Sequence, residues 1–243
     1  MILQVLGSSS RGNGYVLYNS TSALVIEAGV HPKKVKEALD FDISIIDGVL
    51  ISHSHKDHCK YVNMWIDMGV DVYMSPETAA ELGVEGHNLN LVYPKDKIHI
   101  GQWEFMPFDL IHDVRCYGYL IRHPETGLFP FITDTYYCQY KFPGLNNIMI
   151  ECNYDPAILE EKITSGATHP VVRNRVLESH ISTEACMKFL DAHDLSKVSN
   201  IVLMHLSSSH ADPESIKKLI QGHTGVPTHI ARSGLSINFN KVL

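Results

Sequence analysis

Short apolar runs separated by glycine, serine and asparagine clusters recur along the chain, and their period switches between two and about three and a half. Residues 1 to 6, 15 to 18 and 23 to 27 alternate or run apolar, which predicts three strands of an antiparallel meander. Pro32 opens a short helix with Val35, Ala38 and Leu39 on one face, and Val49-Leu50-Ile51 is a further buried strand. Val62, Trp65 and Ile66 then follow helical spacing up to a stop at Gly69. Asp71 to Met74 reads as a strand, and Ser75-Pro76 caps and opens a helix that ends at Gly83. Residues 97 to 109 predict a hairpin around Gly101 whose Trp103, Phe105 and Phe108 belong to the core.

In the second half, Phe131-Ile132 and Ile148-Met149-Ile150 are buried strands, and Asp155 caps a helix opened by Pro156. Residues 164 to 180 look irregular. Cys186, Phe189, Leu190 and His193 carry helical spacing, Ile201 to Met204 is a strand, Asp212-Pro213 caps a surface helix, and 226 to 239 supplies closing strands. Strands alternating with helices place the helices outside the sheets, which predicts an α/β chain, expected here to be one domain over residues 1–243.

Composition narrows this picture. With 44% hydrophobic and 19% charged residues, the chain has core material for a large globular domain. No segment approaches the ~18 apolar residues of a membrane span. The start Met1-Ile2-Leu3-Gln4 lacks a basic region, an apolar core and a cleavage site, so a cytoplasmic location is expected. Five cysteines without a CxxC pair argue against a disulfide framework and a thiolate zinc ribbon. Cys59 adjoins the richest polar motif, and an inert buried thiol is the expected reading for it. The net charge of −7 repels nucleic acid as a whole, so a polyanion must be held locally.

The candidate chemistry starts with Ser52-His53-Ser54-His55-Lys56-Asp57-His58, directly after an apolar strand. His53 and His55 share a direction because extended side chains alternate, so both imidazoles can reach one ion, while Asp57 and His58 face a second. Imidazole and carboxylate ligands suit zinc first, with manganese, iron or nickel also compatible. Gly7-Ser8-Ser9-Ser10-Arg11-Gly12-Asn13-Gly14 is neither a phosphate-binding P-loop nor a nucleophile elbow; it is either a tight polar turn or a loop that lines the site. Arg173 and Arg175, close in sequence to His180, are the first candidates for phosphate contacts.

His53-x-His55-x-Asp57-His58 resembles the signature of the metallo-β-lactamase-like hydrolase superfamily. The opening Gly-Ser loop, Glu151-Cys152-Asn153-Tyr154-Asp155, the stretch from His169 to Val176 and His180-Ile181-Ser182 are together similar to its WalJ-type single-domain members, described as DNA exonucleases. The resemblance implies a four-layer αββα sandwich holding two divalent ions, with His53, His55 and His112 on one, Asp57, His58 and His205 on the other, and Asp134 bridging. Asp113 competes with His112 for the third motif, and His210 is the weaker rival of His205. Glu27 stands where the superfamily usually has an aspartate that orients a ligand histidine, one methylene longer than that residue.

Catalysis would then fall to Asp57, as part of the second metal set, and to His180. A histidine in a similar setting protonates the leaving group in related phosphodiesterases; a structural role is the alternative for His180. The implied reaction is attack of a solvent molecule readied by two cations, on a nucleic acid or a small phosphodiester. Hydrolysis of a lactone, carbonyl ester or thioester on the same ions is the chemical alternative, and a non-catalytic metal-binding protein the alternative of another class.

Overall fold

The computed structural model describes residues 1–242. Fourteen strands form two seven-stranded sheets. In the first, β1 (Ile2–Gly7), β2 (Gly14–Tyr18) and β3 (Ala23–Ile26) form the expected antiparallel meander. The sheet then continues in parallel through β4 (Ile46–Leu50), β5 (Val72–Met74) and β6 (Leu89–Leu91). In the second, β7 (Ile98–Ile100) and β8 (Trp103–Leu110) are the hairpin around Gly101, followed antiparallel by β9 (Cys116–His123) and β10 (Gly127–Ile132). That sheet continues in parallel through β11 (Asn147–Glu151), β12 (Asn200–Met204) and β13 (Thr228–Ile230), while β14 (Ser236–Asn238) returns to pair with β1.

The period-two pattern explains how the sheets stack. Leu24 and Ile26 of β3 and Val202 and Met204 of β12 join Leu3, Phe105 and Phe131 in the core between the sheets. The alternate residues Ala23 and Val25 face outward to Val35, Trp65 and Ala79, while Ile201 and Leu203 face Phe189, Leu190, Ile216 and Ile220. Those partners lie on α1 (Pro32–Ala38), α3 (Val62–Asp67) and α4 (Pro76–Leu82) on one side and on α7 (Thr183–Asp191) and α8 (Pro213–Thr224) on the other. Three apolar interfaces make four layers, the αββα sandwich.

Two local features go beyond the sequence pattern. Residues 56 to 59 form a single helical turn, α2 (Lys56–Cys59), entered from His55. The helix opened by Pro156 is α5 (Pro156–Thr164), and the stretch from 164 to 180 is not irregular but holds α6 (Pro170–Ser179), whose entry is capped by the His169 ring accepting from Val171 N–H. Val171, Val172 and Leu177 of α6 point to solvent at 68%, 46% and 37% exposure, so no inward apolar stripe announces the helix. The carboxyl ends of the parallel strands β4, β11 and β12 open at one edge of the sandwich, as ligand sites in such sheets do.

Candidate metal centre

Strand β4 runs into Ser52 and the fully buried His53, whose Nδ1 lies 2.8 Å from Ser52 Oγ. Its Nε2 thereby turns toward Asp134 Oδ2, 3.8 Å away. His55 is fixed from behind by Cys59, whose Sγ donates to the carbonyls of Ser54 and His55 at 3.0 and 3.2 Å. Burial pushes that thiol up to about 12, so Cys59 is a structural group. His112, just beyond β8, brings its Nε2 to 3.3 Å from His55 Nδ1. The three rings lie 4.7 to 5.0 Å apart around the Asp134 carboxylate.

A second group adjoins the first. His58 Nδ1 is 3.3 Å from Glu27 Oε1, and His58 Nε2 faces Asp57 and Asp134 at 3.4 and 3.5 Å. His205 Nε2 lies 3.4 Å from the same Asp57 oxygen, and its Nδ1 is 3.4 Å from Asp134 Oδ1. One ligand atom from each of His53, His55, His112 and Asp134 lies within 4.8 Å of the others, and the same holds for Asp57, His58 and His205. Asp134 has an oxygen toward each set.

The field here favours positive charge. Burial alone would raise Asp134, yet His205, His58 and His53 hold it well below the usual carboxylate range. Burial would likewise raise Asp57, and the His205 and His58 rings, each 3.4 Å from its Oδ2, bring it below that range. Conversely, burial would lower His205, but Asp134, Asp57 and Glu151 push it up to about 10. His53, by contrast, is held well below the ordinary imidazole value by burial and by its neighbour His58, leaving it neutral, the form that coordinates a metal.

Several residues at this edge were not singled out by the sequence reading. Glu151, fully buried at the end of β11, accepts from His180 Nδ1 at 2.6 Å and His205 Nδ1 at 3.1 Å on one oxygen. Its other oxygen accepts from Ile181 N–H at 3.1 Å and Thr135 N–H at 3.3 Å. Asn13 donates its amide to Asp57 Oδ2 at 3.2 Å and to His58 Nε2 at 3.0 Å, and Ser8 Oγ accepts from His205 N–H at 2.8 Å. The Gly-Ser loop therefore lines the centre and is not merely a turn. It is held there by Gly29, where a Cβ would overlap the Asp57 carbonyl and lie 2.7 Å from Asn13 N.

Of the other candidates, Asp113 is half exposed at the rim, 3.0 Å from His112 Nε2 and 3.4 Å from His55 Nε2, and stands outside both ligand sets and outside the further convergent set of Asp134, Glu151, His180 and His205. His210 bonds to Thr168 Oγ1 at 2.9 Å, away from the ligand rings. Arg173 pairs with Glu160 at 3.6 Å, whereas Arg175 lines a cavity of about 590 Å³ that reaches His180 and His205.

These groups fit a divalent cation: His53 Nε2 and His205 Nε2 are buried without a hydrogen-bond partner among the described residues, at the positions where the carboxylates converge. The family profile described as the metallo-beta-lactamase superfamily matches residues 10–135. Over 250 residues the chain is 25% identical to the exodeoxyribonuclease WalJ of Streptococcus pneumoniae serotype 2, covering 96% of this chain and 89% of that protein. It is also 25% identical over 219 residues to the exodeoxyribonuclease YycJ of Bacillus anthracis, covering 84% and 81%. The crystal structure of the metallo-beta-lactamase fold protein YhfI from Bacillus subtilis superposes with a TM-score of 0.73 at 16% identity, over 97% of this chain and 98% of that one. With the profile matched over more than half of the chain and the His53 to His58 motif, His112 and Asp134 inside the matched region, the chain belongs to the metallo-beta-lactamase superfamily.

Proposed function

We propose that the protein is a divalent-metal-dependent phosphodiesterase that trims DNA from an end, with His53, His55 and His112 on one ion, Asp57, His58 and His205 on the other, and Asp134 between them. The observation that carries this reading is the pair of adjoining ligand sets sharing Asp134, in each of which one buried ring nitrogen, His53 Nε2 or His205 Nε2, lacks a hydrogen-bond partner among the described residues. The identity to two exodeoxyribonucleases over most of the chain supports the choice of DNA. Two divalent ions, zinc or manganese by the ligand chemistry, would lower the pKa of water and neutralise phosphoryl charge.

The protein's own residues do the rest. Glu27 turns the Nδ1 side of His58 outward, leaving Nε2 toward Asp57 and Asp134. Glu151 orients His205 and His180 together. Burial would lower His180, but the Glu151 charge 2.6 Å away raises it, so His180 holds a proton for the departing oxygen. Unpaired, buried thiols at all five cysteines support the cytoplasmic placement.

The test is metal analysis with a substrate panel of 5′-labelled single- and double-stranded DNA, RNA, a lactone and a thioester. About two metal equivalents per chain, release of mononucleotides from DNA, and loss of both metal and hydrolysis on chelation are expected. Full activity in a metal-free preparation would refute the mechanism. Turnover of the lactone or thioester with inertness toward DNA would replace it by carbonyl chemistry.

A further inference from the structure

We infer that the DNA strand runs away from the metal centre along one basic groove, on the His205 side, past Arg175 and Arg11 to Lys34 and Arg232. This rests on the phosphodiesterase reading and extends it to where the uncut part of the strand lies. Two cavities make the groove. The first, about 590 Å³, is lined by His180 and His205 together with Arg175 and Arg11. The second, about 580 Å³, shares Ser9, Arg11 and Leu206 with the first and continues to Lys34 and Arg232. Arg11 stands in both, so the cavities form a continuous path starting at the proposed reacting edge.

The four cations are exposed and, like most Lys and Arg of the chain, make no ion pair among the described residues; what sets them apart is that they line two adjoining cavities that begin at His180 and His205. Lys34 donates to Leu6 O at 3.1 Å, which fixes its stem and leaves further protons for a ligand. Glu214 is the one carboxylate lining the second cavity, against three cations. Ser9, Ser207 and Ser208 add hydroxyl donors along the first. The rim beside His55 and His112 has the opposite character: Asp113 touches both rings there, and Glu81 is hydrogen-bonded by Ser54.

In a chain of net charge −7, unpaired cations gathered along one groove, with carboxylates at the other rim, admit a polyanion from one side and oppose its passage to the other. A small phosphodiester would fill only the first cavity. The length of the path, and hydroxyls in place of groups shaped to a base, fit a single strand held by its backbone.

The experiment compares wild type with Lys34→Glu/Arg232→Glu, measuring kcat/KM on a ~20-nucleotide single strand and on a dinucleotide, across a salt series. The ratio of long to short substrate should fall at least ~10-fold, and the slope of log KM against log salt should lose more than about 1.4, the value for simple loss of two phosphate contacts at ~0.7 each for single strands. Lys34→Gln/Arg232→Gln should move both readouts the same way by less, which separates loss of the groove from misfolding. A ratio within about twofold of wild type with an unchanged salt slope would overturn the groove. So would equal kcat/KM on the two substrates in wild type, which leaves the phosphodiesterase reading standing; wild type inert toward both would instead overturn that reading.

Discussion

Glu151 is the sharpest place to test how the centre is organised. Its two oxygens divide the work, one accepting from the His180 and His205 rings and the other from the backbone N–H groups of Ile181 and Thr135. In Glu151→Gln one oxygen becomes an NH2, and two buried donors would face a donor, at ~1–3 kcal/mol each. The backbone pair cannot change its protonation, but the imidazoles can change tautomer. The less costly arrangement keeps the new carbonyl on Ile181 and Thr135 and turns the NH2 toward both Nδ1 atoms, which must then accept. A neutral ring accepting at Nδ1 carries its proton on Nε2. For His205, Nε2 is the nitrogen that faces Asp57, so the proton stands where a cation is proposed to bind.

The fold should therefore survive while metal affinity and kcat/KM each drop ~10- to 100-fold, equivalent to about 1.4–2.7 kcal/mol of lost transition-state stabilisation. The pH profile gives an independent readout. Glu151 raises His180 against the effect of burial, and a proton donor is lost as pH rises through its pKa. Removing the charge should move the alkaline limb of kcat/KM to lower pH. Chelator competition and pH–rate profiles at saturating metal measure the two effects. A variant with activity within about twofold of wild type, unchanged metal affinity and an unmoved alkaline limb would refute the argument.

Gly29→Ala forces a methyl group into the Asp57 carbonyl, and at ~1–3 kcal/mol of overpacking the melting temperature should fall by roughly 2–12 °C, with metal bound below full stoichiometry; calorimetry and metal analysis check both. Asp134 has φ of 39°, so Asp134→Gly and Asp134→Ala should both abolish hydrolysis, yet in urea titrations the glycine variant should be at least as stable as the alanine one. That reverses the usual order of the two residues, because a left-handed alanine costs ~1–2 kcal/mol.

Much of the sandwich was legible because its strands are apolar on both faces and its helices are punctuated by caps. Asp155-Pro156 and Asp212-Pro213 open helices as expected, their carboxylates accepting from the first-turn N–H groups. Helix α6 was missed because its Val171, Val172 and Leu177 face solvent and give no inward apolar stripe, although Pro170 in its first turn is the same opening signal as Pro32. The same gap blurred Arg173 and Arg175, which two positions apart on a helix must diverge; one meets Glu160 and the other the cavity. Glu151 did carry a signal: it closes the apolar run Ile148-Met149-Ile150 much as Asp134 follows Phe131-Ile132, and a carboxylate ending a buried strand has no apolar reason to be there. The Gly-Ser loop was legible as a possible lining of the site, but which of its residues act was not, since the partners of Asn13 and Ser8 lie 44 and 197 positions away.

The backbone shows why the centre is more than a collection of ligands. Glu27, Asp134 and His205 adopt left-handed conformations with φ of 68°, 39° and 53°, each immediately after or within two residues of a strand end. Such residues cost ~1–3 kcal/mol apiece and persist only where their surroundings over-determine them. Here Glu27 N–H donates to Leu50 O at 2.8 Å, while His205 is pinned at both ends, its N–H to Ser8 Oγ and its carbonyl accepting from Asn153 at 2.7 Å. The strain turns a carboxylate or ring back over the sheet edge, where an extended continuation would carry it past. Four acidic side chains, Glu27, Asp57, Asp134 and Glu151, are thereby gathered around His58 and His205, an arrangement that mutual repulsion opposes and bound cations would relieve. Metal affinity and fold stability are then linked quantities, and the strained strand ends are where that linkage is built.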